Sequence, residues 1–149
     1  MGMSTTTLSD LTLEDLLPHR GNMLLVKEIL EVDSKTARAL FLVDSSWPMA
    51  DENGVHPLIL VELAAQTAGV CNGWDRIRTK GRDSNQMGWI VGIKKADFAI
   101  DSLPLGSIIT ARAENTYSFE NLREVSCELT MDNQIIGRAT LQLFQAGEQ

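Results

Sequence analysis

Two polar side chains interrupt an otherwise apolar run between His56 and Trp74, and they are the best-placed residues in this chain to do chemistry. Glu62 and Gln66 are four apart, so on a helix they share one face, and Gly69 and Gly73 continue the same line. A carboxylate among apolar neighbours is costly to desolvate unless it is paired or used, which makes Glu62 the first candidate for proton transfer. A purely local reading stands beside it: a carboxylate near a helix start complements the positive end of the dipole or hydrogen-bonds a loop. His56, at the entrance to the run, has two readings of its own. An unperturbed pKa near ~6.5 suits it to act as a base at neutral pH, or the ring caps and packs at the helix start.

The elements that must position these groups follow from periodicity and punctuation. Residues 56–74 predict one long helix buried on all sides, with Pro57 at a favourable first position. Ahead of it, Thr12 and the acids Glu14 and Asp15 predict a short helix that Pro18 stops. An apolar run at 23–32 and alternation at 36–43 predict a hairpin turning at Asp33, Ser34 and Lys35. Residues 44–54 are rich in turn formers and carry Trp47 and Pro48, so a loop is expected to approach the helix and wall the site. Strands are expected at 86–100, 107–119, 122–131 and 135–144, with Gly88 and Gly92 marking close backbone approach or a bulge. A lone apolar helix followed by long antiparallel strands is best hidden by a strongly curved sheet wrapped around it, an α+β domain. Ala64, Ala65, Ala68 and Gly69 supply the small side chains for close approach of helix and sheet.

Composition limits the rest. The 149 residues fit a flexible leader at 1–10 and a single domain at 11–149. No basic region followed by an apolar core opens the chain, so no secretory signal is expected and the cytoplasm is the expected location. The central run is broken by Glu62 and Gln66 and falls short of the ~20 apolar residues a membrane span needs. Cys71 and Cys127 read as small core residues rather than a disulfide, and two histidines without a Cys/His cluster predict no zinc site. A net charge of −7 argues against general nucleic-acid binding. Positive charge is nevertheless clustered at Arg76, Arg78, Lys80 and Arg82 and again at Lys94 and Lys95. These read either as a solvated surface complementing the helix dipole or as a docking patch for an acidic or phosphorylated partner.

Several segments together resemble the hotdog-fold 3-hydroxyacyl-[acyl carrier protein] dehydratases of fatty-acid and polyketide synthesis. Leu17-Pro18-His19-Arg20 followed by Met23-Leu24-Leu25-Val26 is similar to that family's opening motif and first strand. Leu60-Val61-Glu62-Leu63-Ala64-Ala65-Gln66 is similar to its central helix, with an acid and then a glutamine four residues on. Gly73-Trp74 resembles the Gly-Trp of the 3-hydroxydecanoyl branch, and Ile93-Lys94-Lys95-Ala96-Asp97-Phe98, with Pro104 and Gly106 beyond, resembles the next strand and its turn. The pattern is nearest to the dehydratase-like proteins encoded with aryl-polyene-type synthases.

That resemblance implies a dimer whose two sheets join, an acyl tunnel at the interface, and loss of water from a (3R)-3-hydroxyacyl thioester without metal or organic cofactor. A histidine takes the C2 proton and the helix acid of the other subunit protonates the departing hydroxyl. Both are needed, because the C2 proton is weakly acidic and hydroxide leaves poorly. Carried over, Glu62 is the acid, and Gln66, Trp47, Pro48 and Gly69 are the substrate-contacting candidates. Arg76, Arg78, Lys80, Arg82, Lys94 and Lys95 become candidates for docking the acidic acyl carrier protein, and the partner subunit is a second copy or a different hotdog chain.

The family's base lies in a His-Phe-Pro-Gly-type loop, and its expected place here falls in Ser46-Trp47-Pro48-Met49, which holds no histidine. Pro57 stands where a glycine normally supplies a backbone N–H, which proline lacks. His56 is therefore the candidate base, while His19, beside Pro18, reads as a structural corner. Three functions follow: a thioester dehydratase, a dehydratase-like partner subunit that has lost its own base, and a hotdog thioesterase in which the helix acid directs a water.

Overall fold

The computed structural model describes residues 8–145. The leader expected at 1–10 lies largely outside them; Leu8–Asp10 form one 3₁₀ turn. Helix α1, Leu13–Leu16, begins at a reciprocal capping box in which Thr12 and Asp15 satisfy each other's backbone N–H groups. After a 3₁₀ turn at Gly21–Met23 come strands β1, Glu28–Val32, and β2, Thr36–Leu42, paired antiparallel across the expected turn. Strand β1 starts later than the apolar run suggests, because the backbone at Met23 and Leu25 bonds to the Gln66 side chain instead of to a neighbouring strand.

The loop that follows contains a small ribbon of β3, Ala50–Asp51, and β4, Gly54–Val55. Helix α2 spans Ile59–Lys80 and ends at Gly81, whose N–H closes on the Ile77 carbonyl and whose positive φ turns the following chain away from the helix. It runs six residues past the predicted end at Trp74, so Arg76, Arg78 and Lys80 belong to the helix rather than to the chain after it. Strands β5, Gly88–Phe98, β6, Ile108–Phe119, β7, Leu122–Met131, and β8, Gln134–Gln145, complete one antiparallel sheet in the order β1-β2-β6-β7-β8-β5.

Alternation decides which face of each strand meets α2. Ala37, Ala39 and Phe41 of β2, Ile109, Ala111 and Ala113 of β6, Val125, Cys127 and Leu129 of β7 and Ala139 and Leu141 of β8 all point inward and are buried. The alanines bring the sheet close to Ala64 and Ala68, while Leu60 and Leu63 fill the space between, each burial worth roughly 1.5–3 kcal/mol. Cys71 and Cys127 are free and buried, and desolvation pushes both thiols up to about 12.

Burial of α2 on all sides, the sequence expectation, does not hold along one stripe. Glu62, Ala65, Gly69 and Asn72 are only partly covered, so Ala65 and Gly69 face away from the sheet that they were expected to pack against. Strand β5 is an edge, carries bulges at Ile90/Gly92 and Ile93/Lys95, and exposes Trp89, Ile90, Val91 and Ile93. None of the described helices is long and apolar enough to cross a membrane.

Candidate active site

The chain between α1 and β1 delivers the first group to the open stripe. Pro18 ends the helical turn, and the Arg20 guanidinium donates to the carbonyls of Leu17 at 2.6 Å, His19 at 2.8 Å and Glu14 at 3.2 Å. With its backbone clamped in this way, His19 lies against α2, its Nε2 3.1 Å from Glu62 Oε2. The other ring nitrogen, Nδ1, is buried and has no hydrogen-bond partner among the described residues.

Gln66, fully buried, holds the same carboxyl from the other side. Its Oε1 accepts the Leu25 N–H at 2.9 Å, and its Nε2 donates to the Met23 carbonyl at 2.7 Å and to Glu62 Oε2 at 2.9 Å. Both neighbours therefore reach Oε2, and among the described residues none hydrogen-bonds Oε1. Burial pushes the Glu62 carboxyl up, but the hydrogen bonds from His19 and Gln66 and the charge of His19 outweigh it and hold it below its ordinary value.

A cavity of about 340 Å³ opens along this stripe, lined by Glu62, Ala65, Gly69, Asn72, Gly73 and Arg76 of α2. Leu17, Pro18 and His19 wall one side, and Trp89, Ile90, Leu143 and Phe144 of β5 and β8 wall the other. From Glu62 to Arg76 is 14 positions, roughly 21 Å of helix. The space follows α2, is mostly apolar and carries the Glu62 carboxyl, features suited to an apolar chain with its reactive end near Glu62.

The sequence candidates separate around this cavity. Glu62 and Gly69 line it and Gln66 touches Glu62, whereas Trp47 is buried beside a second, smaller hollow bordered by Leu25, Asp44 and Ser46, and Pro48 lines neither. His56 is exposed, its Nδ1 accepts the Leu58 N–H at 3.1 Å, and it does not line the cavity. Arg76 is 3% exposed and donates to Asp15 O and to Ser84, closing α1 onto α2.

Arg82 reaches Asp10 O and Asp15, Lys94 pairs with Glu124 and Lys95 with Asp97. Arg78 lies over the Trp74 ring, and Lys80 is exposed. The sequence reading made His19 a corner, and the structure brings it to Glu62. The two are 43 positions apart, and the only local signal was a titratable ring beside a proline.

The chain matches the ApeP-like family, described as ApeP dehydratase, over residues 11–149. Among solved structures it is similar to the dehydratase heterocomplex ApeI:P from Xenorhabdus doucetiae, with a TM-score of 0.83, 20% identity and 92% of each chain covered. A sigma28-regulated virulence protein from Campylobacter jejuni superposes with a TM-score of 0.70, at 19% identity, over 92% of this chain and 98% of that one. A hypothetical thioesterase protein with coenzyme A from Streptococcus pneumoniae gives 0.61, at 15% identity, over 82% and 87%. These likenesses show the hotdog fold. No curated protein matches the chain.

Proposed function

The chain belongs to the ApeP-like dehydratase family, and from that premise we propose that it serves the removal of water from (3R)-3-hydroxyacyl thioesters carried by an acyl carrier protein, in the cytoplasm. The observation that carries this reading is the Glu62 carboxyl, held by two donors at the end of an otherwise mostly apolar cavity along α2. A bound thioester would lie along Ala65 and Gly69 with its C2–C3 bond near Oε1. Breaking the C3–O bond needs a proton on the departing hydroxyl, which is the task of Glu62. As the acyl chain displaces water from the half-covered carboxyl, desolvation strengthens and favours the protonated form.

The base is the open half of the reaction. Residues 44–54 carry no histidine, and His56 is turned to the Leu58 N–H. That favours a second reading within the same chemistry, in which this subunit contributes the acid and another hotdog subunit contributes the base. Strand β5 supports it, since its outer edge has no strand beside it among the described residues while Trp89, Val91 and Ile93 stand exposed along it. The related Xenorhabdus protein is itself part of a heterocomplex. Carrier-protein docking is assigned to Arg78, Lys80 and Arg82, at the Arg76 end of α2, together with Lys94 and Lys95.

The test is incubation of the purified protein with 3-hydroxyacyl-carrier-protein substrates of several chain lengths, alone and with a second hotdog subunit encoded nearby, followed by intact mass. Loss of water from the carrier-bound chain is the expected result, and dependence on the second subunit selects the shared site. Release of free carrier thiol instead would replace dehydration by thioester hydrolysis.

A further inference from the structure

We propose that His19 is the positioning residue of the Glu62 carboxyl: its Nε2–H and the Gln66 amide fix Oε2 from two sides and leave Oε1 as the one oxygen presented to the acyl chain. The inference rests on the reading of Glu62 as the proton-handling group and assigns the Leu17-Pro18-His19-Arg20 segment to the site.

Three observations converge on it. His19 Nε2 and Gln66 Nε2 stand 3.1 Å and 2.9 Å from the same oxygen, so the carboxyl cannot rotate without losing both. Neither support is free to drift, because Gln66 is anchored to the backbone at Met23 and Leu25, and the backbone around His19 is anchored by the three carbonyl bonds of Arg20. The enclosure of Nδ1 completes the arrangement: that nitrogen is buried without a partner among the described residues, so Nε2 is the ring nitrogen that meets the carboxylate.

The ring has no nitrogen free for substrate, since Nε2 meets Glu62 and Nδ1 is enclosed. It acts through Glu62, as the hydrogen-bonded partners of reactive groups do elsewhere in enzymes. No other charged side chain contacts Glu62 among the described residues. Arg76 and Arg123 lie further along the same cavity, and their guanidinium groups are committed to Asp15 O and Ser84 and to Asn72 and Asp75.

The test uses the full chain with ¹³C-carboxyl-labelled glutamate, the Glu62 signal being assigned by its loss in Glu62→Gln, and compares wild type with His19→Ala and His19→Gln by NMR titration. In wild type Glu62 titrates below the ordinary glutamate value. In His19→Ala it moves up, and in His19→Gln, whose amide again offers an N–H near the Nε2 position, it moves back down.

In the dehydration assay, with the second subunit where one is required, His19→Ala lowers kcat roughly 10- to 100-fold with KM little changed, and His19→Gln recovers much of it. A Glu62 titration identical in wild type and folded His19→Ala overturns the proposal. If His19→Ala fails to fold, His19→Phe, which fills the space of the ring without an N–H, decides: a Glu62 titration and a kcat identical to those of the wild type overturn it. A shifted titration in a protein that dehydrates no thioester, wild type included, overturns the functional reading and leaves the His19–Glu62 pairing in place.

Discussion

At Glu62, burial favours the protonated carboxyl and two donors favour the carboxylate, and the donors prevail. The folded value lies below the ordinary 4.5, so the stability that the carboxylate contributes is fully present above that pH and is lost as pH falls through the folded value. Glu62→Gln removes this contribution while keeping the size of the side chain. The expected outcome is a difference in unfolding free energy from wild type that is level from neutral pH down to about pH 5 and shifts against wild type below it. Urea unfolding at stepped pH checks this. The same variant lowers dehydration by roughly 10²- to 10⁴-fold, the range of general acid–base catalysis, and turnover at the wild-type rate would remove Glu62 from the mechanism.

Among the elements, α1 and α2 meet across glycines. A Cβ on Gly73 would press into the backbone carbonyl of Leu16, and one on Gly69 would fall 2.7 Å from Leu17 Cδ2. Backbone cannot step aside as the end of a leucine can. Gly73→Ala is therefore expected to cost more than Gly69→Ala, about 1–3 kcal/mol against a smaller loss, as compared by urea midpoints. Gly73→Ala also displaces the segment that carries His19, so it is expected to lower activity. Arg76 strengthens this junction from the α2 side, its guanidinium closing on Asp15 O and Ser84. An arginine that reads in sequence as part of a charged docking cluster is, in the fold, a tie between helices.

For the molecule as a whole the decisive feature is the β5 edge. Val91 sits in a bulge that the β8 register skips, is 57% exposed, and lies between Ile90 and Gly92 on a strand whose neighbours on the open side are absent among the described residues. Apolar strand edges of this kind are covered or they aggregate. If β5 joins a second hotdog subunit, Val91→Glu leaves the single chain folded and abolishes assembly. Light scattering then gives a mass near that of one 16.4 kDa chain, alone or mixed with the second subunit, where wild type gives at least twice that. An unchanged assembly in the variant would place the interface elsewhere.

Much of this protein follows from its sequence alone, because the signals are local. The capping residues of α1, the apolar run of α2, the β1–β2 turn and the alternation of β6 to β8 each depend on neighbours within a few positions, and each pattern marks an element that forms, although α2 extends to Lys80 beyond its predicted end at Trp74. Glu62 and Gln66 were legible for the same reason, as two polar groups on one helical face. Three things were decided only by tertiary structure. The stripe through Glu62, Ala65, Gly69 and Asn72 is open because α1 and the β5–β8 corner leave space there, which no period in α2 reports. Arg76 is buried because one of its donors meets the Asp15 carbonyl at the end of α1, 61 positions away. His19 reaches Glu62 because Arg20 clamps the chain at Pro18 and α2 passes beside it, a distance relation between two segments that residue identities along the chain do not encode.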